Sequence, residues 1–218
     1  MADATTSRKK ITAPSLRARK VRAGFEPLVM LTAYDAPSAR MVDAAGADVI
    51  LVGDSLAMVV LGYDDTLQVT VADMAHHTAA VARTDPFALI VADLPWLSYH
   101  VSVEDTVRNA ASLIRTGAQA VKLEGGRKRV PMIEALIDAE IPVVGHIGLT
   151  PQSVHAMGGF KVQGRETRCA GLGARRSVGL TAGSREALDG RRKPWQMPRR
   201  PVRRSPRPRC EPARSARA

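Results

Sequence analysis

The segment Val49-Ile-Leu-Val-Gly53-Asp54-Ser55 constrains this chain more than any other. Four apolar residues in a row read as a strand buried on both faces. A glycine, a carboxylate and a hydroxyl then arrive together where such a strand ends. The device recurs in Ala88-Leu-Ile-Val-Ala-Asp93-Leu-Pro95, in Ala120-Val-Lys122-Leu-Glu124-Gly125-Gly126 and in Pro142-Val-Val-Gly-His146-Ile-Gly148. Four strands each deliver a polar group at or near the C-terminal end, where parallel α/β proteins bind their ligands.

Helical segments separate these strands. An earlier apolar run, Leu28 to Asp35, reads as the first strand, with Asp35 capping a helix over 36–45 and Pro37 early in it. Further helices are expected over 71–83, 103–116 and 130–139, and a short basic helix capped by Ser15 over 13–20. Strand and helix alternate five times, so every strand reads as parallel. A doubly wound sheet and a (β/α)8 barrel both fit that alternation. Polar groups on almost every strand end favour the barrel, because an open sheet uses mainly its switch point. The expected class is therefore α/β, of the (β/α)8 TIM-barrel type, incomplete at five β-α units. Residues 1–27 form an N-terminal segment whose first twelve residues read as loose, and residues 28–164 form the partial barrel.

The pattern stops after Gly164. Residues 165–218 hold fifteen arginines and one lysine against four acidic groups, whereas residues 1–164 hold sixteen basic and seventeen acidic groups. The net charge of +11 thus belongs to the tail. Its Arg and Pro content buries too little apolar surface to order it, so 165–218 reads as disordered, or as an out-of-frame translation of a GC-rich gene. An alternative, a nucleic-acid-binding arm, has the charge but no aromatic or RGG pattern. Both cysteines, Cys169 and Cys210, lie there, which leaves the body without a disulfide framework or a thiolate metal site. The sequence shows no apolar run of membrane-spanning length and no apolar signal core, so a cytoplasmic protein is expected.

Asp54 and Asp93 end neighbouring strands. Two converging carboxylates suit a hard divalent cation such as Mg2+. Lys122 and Glu124 lie two apart and share one face of their strand. Three carboxylates together repel one another unless a metal or Lys122 compensates. The set reads as a site for an acidic substrate chelated to a metal, with Ser55 as a further donor and Gly53 allowing close backbone approach. Each group alone also has an ordinary structural role. Asp93 is a candidate turn residue, Lys122 and Glu124 a candidate ion pair, and His146 a candidate core histidine. His76, His77 and His100 read as solvated, His155 as a loop residue without a role, and Met58, Met74 and Met132 as packing residues.

In combination, seven segments resemble the ketopantoate hydroxymethyltransferase family. They are Leu31-Thr-Ala-Tyr-Asp35, Leu51-Val-Gly-Asp-Ser55, Gly62-Tyr-Asp-Asp-Thr66, Val91-Ala-Asp-Leu-Pro95, Val121-Lys-Leu-Glu-Gly-Gly126, Gly145-His-Ile-Gly-Leu-Thr-Pro-Gln-Ser153 and Gly158-Gly-Phe-Lys-Val-Gln-Gly164. The resemblance implies a barrel of the phosphoenolpyruvate/pyruvate superfamily, usually decameric, acting in pantothenate and coenzyme A biosynthesis. It implies transfer of a hydroxymethyl group from 5,10-methylenetetrahydrofolate to 3-methyl-2-oxobutanoate. It implies Mg2+ on Asp54 and Asp93, with Glu124 in the metal set. Asp54, Ser55, Asp93 and Lys122 would hold the 2-oxo acid, and His146 would lie near the product's new hydroxyl. The family's general base, a glutamate on a sixth strand, has no counterpart here, since Glu166 and Glu186 sit in no matching context. No catalytic residue is therefore assigned, and the isolated chain is expected to be inactive. A related Mg2+-dependent carbon–carbon lyase is the alternative enzyme.

Overall fold

The computed structural model describes residues 8–21, 26–147 and 149–159. Within it, β1 (Met30–Thr32), β2 (Val49–Val52), β3 (Leu89–Asp93), β4 (Ala120–Glu124) and β5 (Val143–His146) form one parallel sheet in that order. A doubly wound sheet reverses its strand order at a switch point, and this one never does. Right-handed crossovers without reversal put every crossover helix on the same face, which is barrel winding. The main helices are α2 (Ala36–Ala44), α4 (Val71–Ala82), α5 (Val103–Arg115) and α6 (Val130–Asp138), and each packs on the next.

The period of two along each strand divides the core. Ile50, Val52, Ile90, Ala92, Val121, Leu123 and Val143 face the helices and meet Met74, Val81, Leu113, Ile133 and Leu136. Val49, Leu89, Val91 and Ala120 face the other way, toward the barrel interior, with Leu51 and Val144 beside them. Ile11 and Leu16 close this inner cluster. Leu16 sits on α1 (Ala13–Val21), which therefore covers the inner face near the strand starts.

Local chemistry explains the helix starts. Asp35, Thr70 and Ser102 each accept a hydrogen bond from the backbone N–H three residues on, and the first two form reciprocal capping boxes with Ser38 and Asp73. At α1 the expected cap moves. Thr12 accepts from the Ser15 N–H and Ser15 Oγ accepts from the Thr12 N–H, so Ser15 is the third helical residue and Thr12 the cap.

Three further expectations change. The first strand is only three residues long, and Leu28, Val29, Met30 and Leu31 are exposed, because β1 has a strand on one side only among the described residues. Residues 8–12 are anchored rather than loose. Arg8 donates to Asp43 Oδ1 at 3.1 Å and to the carbonyl of Ala47, Lys10 pairs with Asp85, and the Ile11 N–H donates to the Phe87 carbonyl. The run Leu56–Leu61 opens as a helical turn, α3 (Leu56–Val59), whose Met58, Val59, Val60 and Leu61 are exposed. The expected packing role therefore fails for Met58 but holds for Met74, which is fully buried. The expectations for 165–218, including the nucleic-acid arm and both cysteines, lie outside the described residues.

Gly117 ends α5 at φ +112, and a Cβ built there would lie 2.3 Å from the Ala82 Cβ. Replacement by alanine meets both backbone strain and a clash with α4. Gly117→Ala is expected to lower unfolding stability by about 2–3 kcal/mol, read from the urea midpoint. Adding Ala82→Gly should recover the clash component but not the strain at φ.

Candidate active site

Strand register assembles the site. Asp93 lies opposite Lys122, and Glu124 lies opposite His146. All four belong to the inward set, so cross-strand neighbours become chemical pairs. Lys122 Nζ donates to Asp93 Oδ1 at 2.5 Å, and His146 Nδ1 lies 3.0 Å from Glu124 Oε1. The ion pair expected within β4 is thus replaced by two pairs that reach outward from it. Asp93 and Glu124 are buried and His146 is about a third exposed.

Asp54 joins them through a turn. After β2 the Leu56 N–H donates to the Gly53 carbonyl and the Ala57 N–H to the Asp54 carbonyl, so the chain bends at once into α3. The Asp54 N–H then donates to Asp93 Oδ2 at 3.1 Å. A Cβ at Gly53 would crowd Ser55 Oγ at 3.0 Å, whereas its 3.5 Å separation from Asp93 Oδ2 would be ordinary contact. Ser55 Oγ lies 3.0 Å from the Tyr34 hydroxyl, which ties the end of β1 to the end of β2.

Two residues absent from the expected site join its centre. Gln152 follows Thr150-Pro151 in the segment after β5. It is buried. Its Nε2 donates to Asp54 Oδ2 at 2.7 Å and to the Leu94 carbonyl at 3.0 Å, and its N–H donates to Glu124 Oε2 at 3.2 Å. Tyr99, fully buried, donates its hydroxyl proton to Gln152 Oε1 at 2.6 Å and accepts from the Glu124 N–H at 3.1 Å. Their partners lie 25 to 98 residues away, so no local pattern exposes either role.

The histidines also depart from expectation. His77 is not free in solvent, since its Nδ1 lies 2.6 Å from the Tyr34 carbonyl. His100 packs against Tyr99 in a tilted pair, at 4.2 Å between ring centroids. Burial, with Arg129 adding to it, pulls His100 down to about 4, so the ring is neutral at pH 7. His155 lies on the single helical turn α7 (Val154–Met157), 3.8 Å from an Asp65 carboxylate oxygen.

Burial decides the electrostatics. It pushes the Asp54 carboxyl up to about 7, and the charge of Asp93 adds to the rise. It raises Asp93 too, against the opposing pull of Lys122. Burial alone would lower Lys122, but its contact with Asp93 prevails and the ammonium is held above its ordinary value. Two buried carboxylates under one ammonium leave uncompensated negative charge. Their hard oxygen donors fit a divalent cation that binds two carboxylates and fills its other positions with water or substrate. Among the described residues no three His, Cys, Asp or Glu side chains are placed to hold one ion together. The expected trio of Asp54, Asp93 and Glu124 is therefore not such a set; both oxygens of Glu124 are engaged, by His146 and the Gln152 N–H, as both of Asp93 are by Lys122 and the Asp54 N–H.

The chain resembles known proteins along most of this region. The family model described as ketopantoate hydroxymethyltransferase matches residues 10–175. The 3-methyl-2-oxobutanoate hydroxymethyltransferase 2 of Bradyrhizobium diazoefficiens is 57% identical over 162 residues, 74% of this chain and 54% of that protein. The 3-methyl-2-oxobutanoate hydroxymethyltransferase of a Methylobacterium species is 60% identical over 154 residues, 71% of this chain and 53% of that protein. The chain spans about half the length of the curated relatives it matches. Its fold matches that of a phosphoenolpyruvate phosphomutase from Streptomyces platensis subsp. rosaceus, with a TM-score of 0.52 at 18% identity over 62% of this chain and 53% of that one. Sequence and strand order agree, and the chain belongs to the ketopantoate hydroxymethyltransferase family.

Proposed function

We propose that this chain carries the metal- and 2-oxo-acid-holding part of a hydroxymethyltransferase. The reaction would move a one-carbon unit from 5,10-methylenetetrahydrofolate to 3-methyl-2-oxobutanoate and give 2-dehydropantoate for pantothenate biosynthesis. The observation that carries this reading is the buried Asp93–Lys122 pair set against Asp54 at one end of the sheet. The names of the relatives supply the reaction class.

Asp54 and Asp93 are the residues that hold Mg2+, and the ion when bound supplies Lewis-acid polarisation of a 2-oxo group. Lys122 offers its remaining N–H donors to the substrate carboxylate while its contact with Asp93 keeps it charged. The Ser55 hydroxyl, oriented by Tyr34, adds a neutral donor at the same level. His146 faces an acceptor, the Glu124 carboxylate, so its Nδ1 carries the proton and Nε2 is left to accept from a hydroxyl. Trp96, Leu97, Val101 and Tyr63 are exposed on the loops that follow β2 and β3. That apolar rim suits a flat folate ring approaching the strand ends. The same reading takes the chain to be cytoplasmic and the complete family members to be homo-oligomers. No helix among the described residues is long and apolar enough to cross a membrane.

Isothermal titration of the full chain with 3-methyl-2-oxobutanoate tests the proposal. Binding is expected with Mg2+ present and lost after chelation, and binding that ignores chelation would sink the metal assignment. Lys122→Met should weaken oxo-acid binding at least about tenfold. It should also destabilise the metal-free chain by about 3–5 kcal/mol, because Asp93 is left buried without its cation. Acid should oppose cation uptake. With Asp54 raised to about 7, proton and cation compete for it, so Mg2+ affinity should fall from pH 8 to pH 6. A flat profile over that range would remove Asp54 from the ligand set.

A further inference from the structure

We propose that Tyr99 and Gln152 form a one-way hydrogen-bond relay that makes Gln152 the positioning residue for the Asp54 carboxylate toward a divalent cation. The inference rests on the metal reading above and adds residues which that reading does not use.

The direction follows from counting donors. The backbone N–H of Glu124 can only donate, and it points at the Tyr99 oxygen. The Tyr99 proton must then go elsewhere, and Gln152 Oε1 lies 2.6 Å away. Burial raises Tyr99 far above its ordinary value, so that proton is not lost near neutral pH. With its oxygen engaged, the Gln152 amide can present only NH2 to its two remaining partners, Asp54 Oδ2 and the Leu94 carbonyl. Both partners accept. A flipped amide would set oxygen against oxygen at two places, Asp54 Oδ2 and the Leu94 carbonyl, and would leave the Tyr99 proton without its acceptor.

The relay also fixes position. The Gln152 N–H donates to Glu124 Oε2, so the residue is held from its backbone and from both ends of its amide. It joins groups from the ends of β2, β3 and β4. Arg129 lies 5.4 Å over the Tyr99 ring and His100 packs against it at a tilt, which confines the ring. A neutral donor on Asp54 orients the carboxylate without neutralising it. Lysine in that place would compete with a metal, and a carboxylate would repel Asp54.

Partners that orient ligating carboxylates typically affect metal affinity by about 10–100-fold. The test is Mn2+ uptake by the full chain, followed by the electron paramagnetic resonance of free ion, with circular dichroism to establish folding. Gln152→Met keeps the side-chain shape but removes its donors and acceptor. It is expected to raise the Mn2+ Kd about tenfold or more at unchanged stoichiometry. Tyr99→Phe, which removes the hydrogen bond that holds the amide oxygen, should raise the Kd by a smaller factor, again at unchanged stoichiometry. A purely structural role would instead lower the fraction of competent chains and leave the Kd alone, and that outcome overturns the relay. An unchanged Kd in either folded variant also overturns it. If Gln152→Met does not fold, Tyr99→Phe decides by the same criterion. Failure of the wild-type chain to take up Mn2+ overturns the metal reading itself, and the relay's role falls with it.

Discussion

The position of β4 between β3 and β5 governs the molecule's chemistry. Lys122 and Glu124 point inward from β4, and the register delivers one to Asp93 and the other to His146. A slip of one residue would turn both toward the helices and bring Val121 and Leu123 into the interior. The apolar packing of Val121 and Leu123 against the helix layer therefore holds the charged pairs in place. Core and site are two faces of one strand, and neither can shift without the other.

Charge sets the remaining demand. Buried carboxylates are stable only where something answers them, and the answers here differ in kind. Asp93 has an ammonium and a backbone N–H. Glu124 has an imidazole and a backbone N–H. Asp54 has a neutral amide on Oδ2, whose lowering effect on its proton affinity is outweighed by burial and by the charge of Asp93. It is the least compensated of the three, which makes it the natural place for an added cation.

Much of this was legible in the sequence, for identifiable reasons. Runs such as Val49–Val52 and Leu89–Asp93 are short, apolar and closed by a polar residue, so strand and strand end coincide in the text. Asp54, Asp93, Lys122, Glu124 and His146 were visible because each sits where such a run stops. Their partners were not. Pairing Lys122 with Asp93 rather than Glu124 depends on register, which no single strand contains. Gln152 and Tyr99 lie outside the apolar runs, and their partners stand 25 to 98 residues away, so only the assembled strands bury them. The first strand read as long because Leu28–Leu31 is apolar, yet its outer side has no neighbouring strand among the described residues.

The hydrogen bond between Gln152 and Asp54 spans 98 residues. The strand pairings join consecutive β-α units, so each closes a much shorter loop. Loop-closure entropy grows with length, which makes the amide contact the costliest to form on its own and the cheapest once the intervening strands are stacked. Assembly order is thereby written into the topology. Loop-closure entropy favours an order in which Asp54 meets its amide after β3 and β4 are in place, when the ammonium of Lys122 is already at hand.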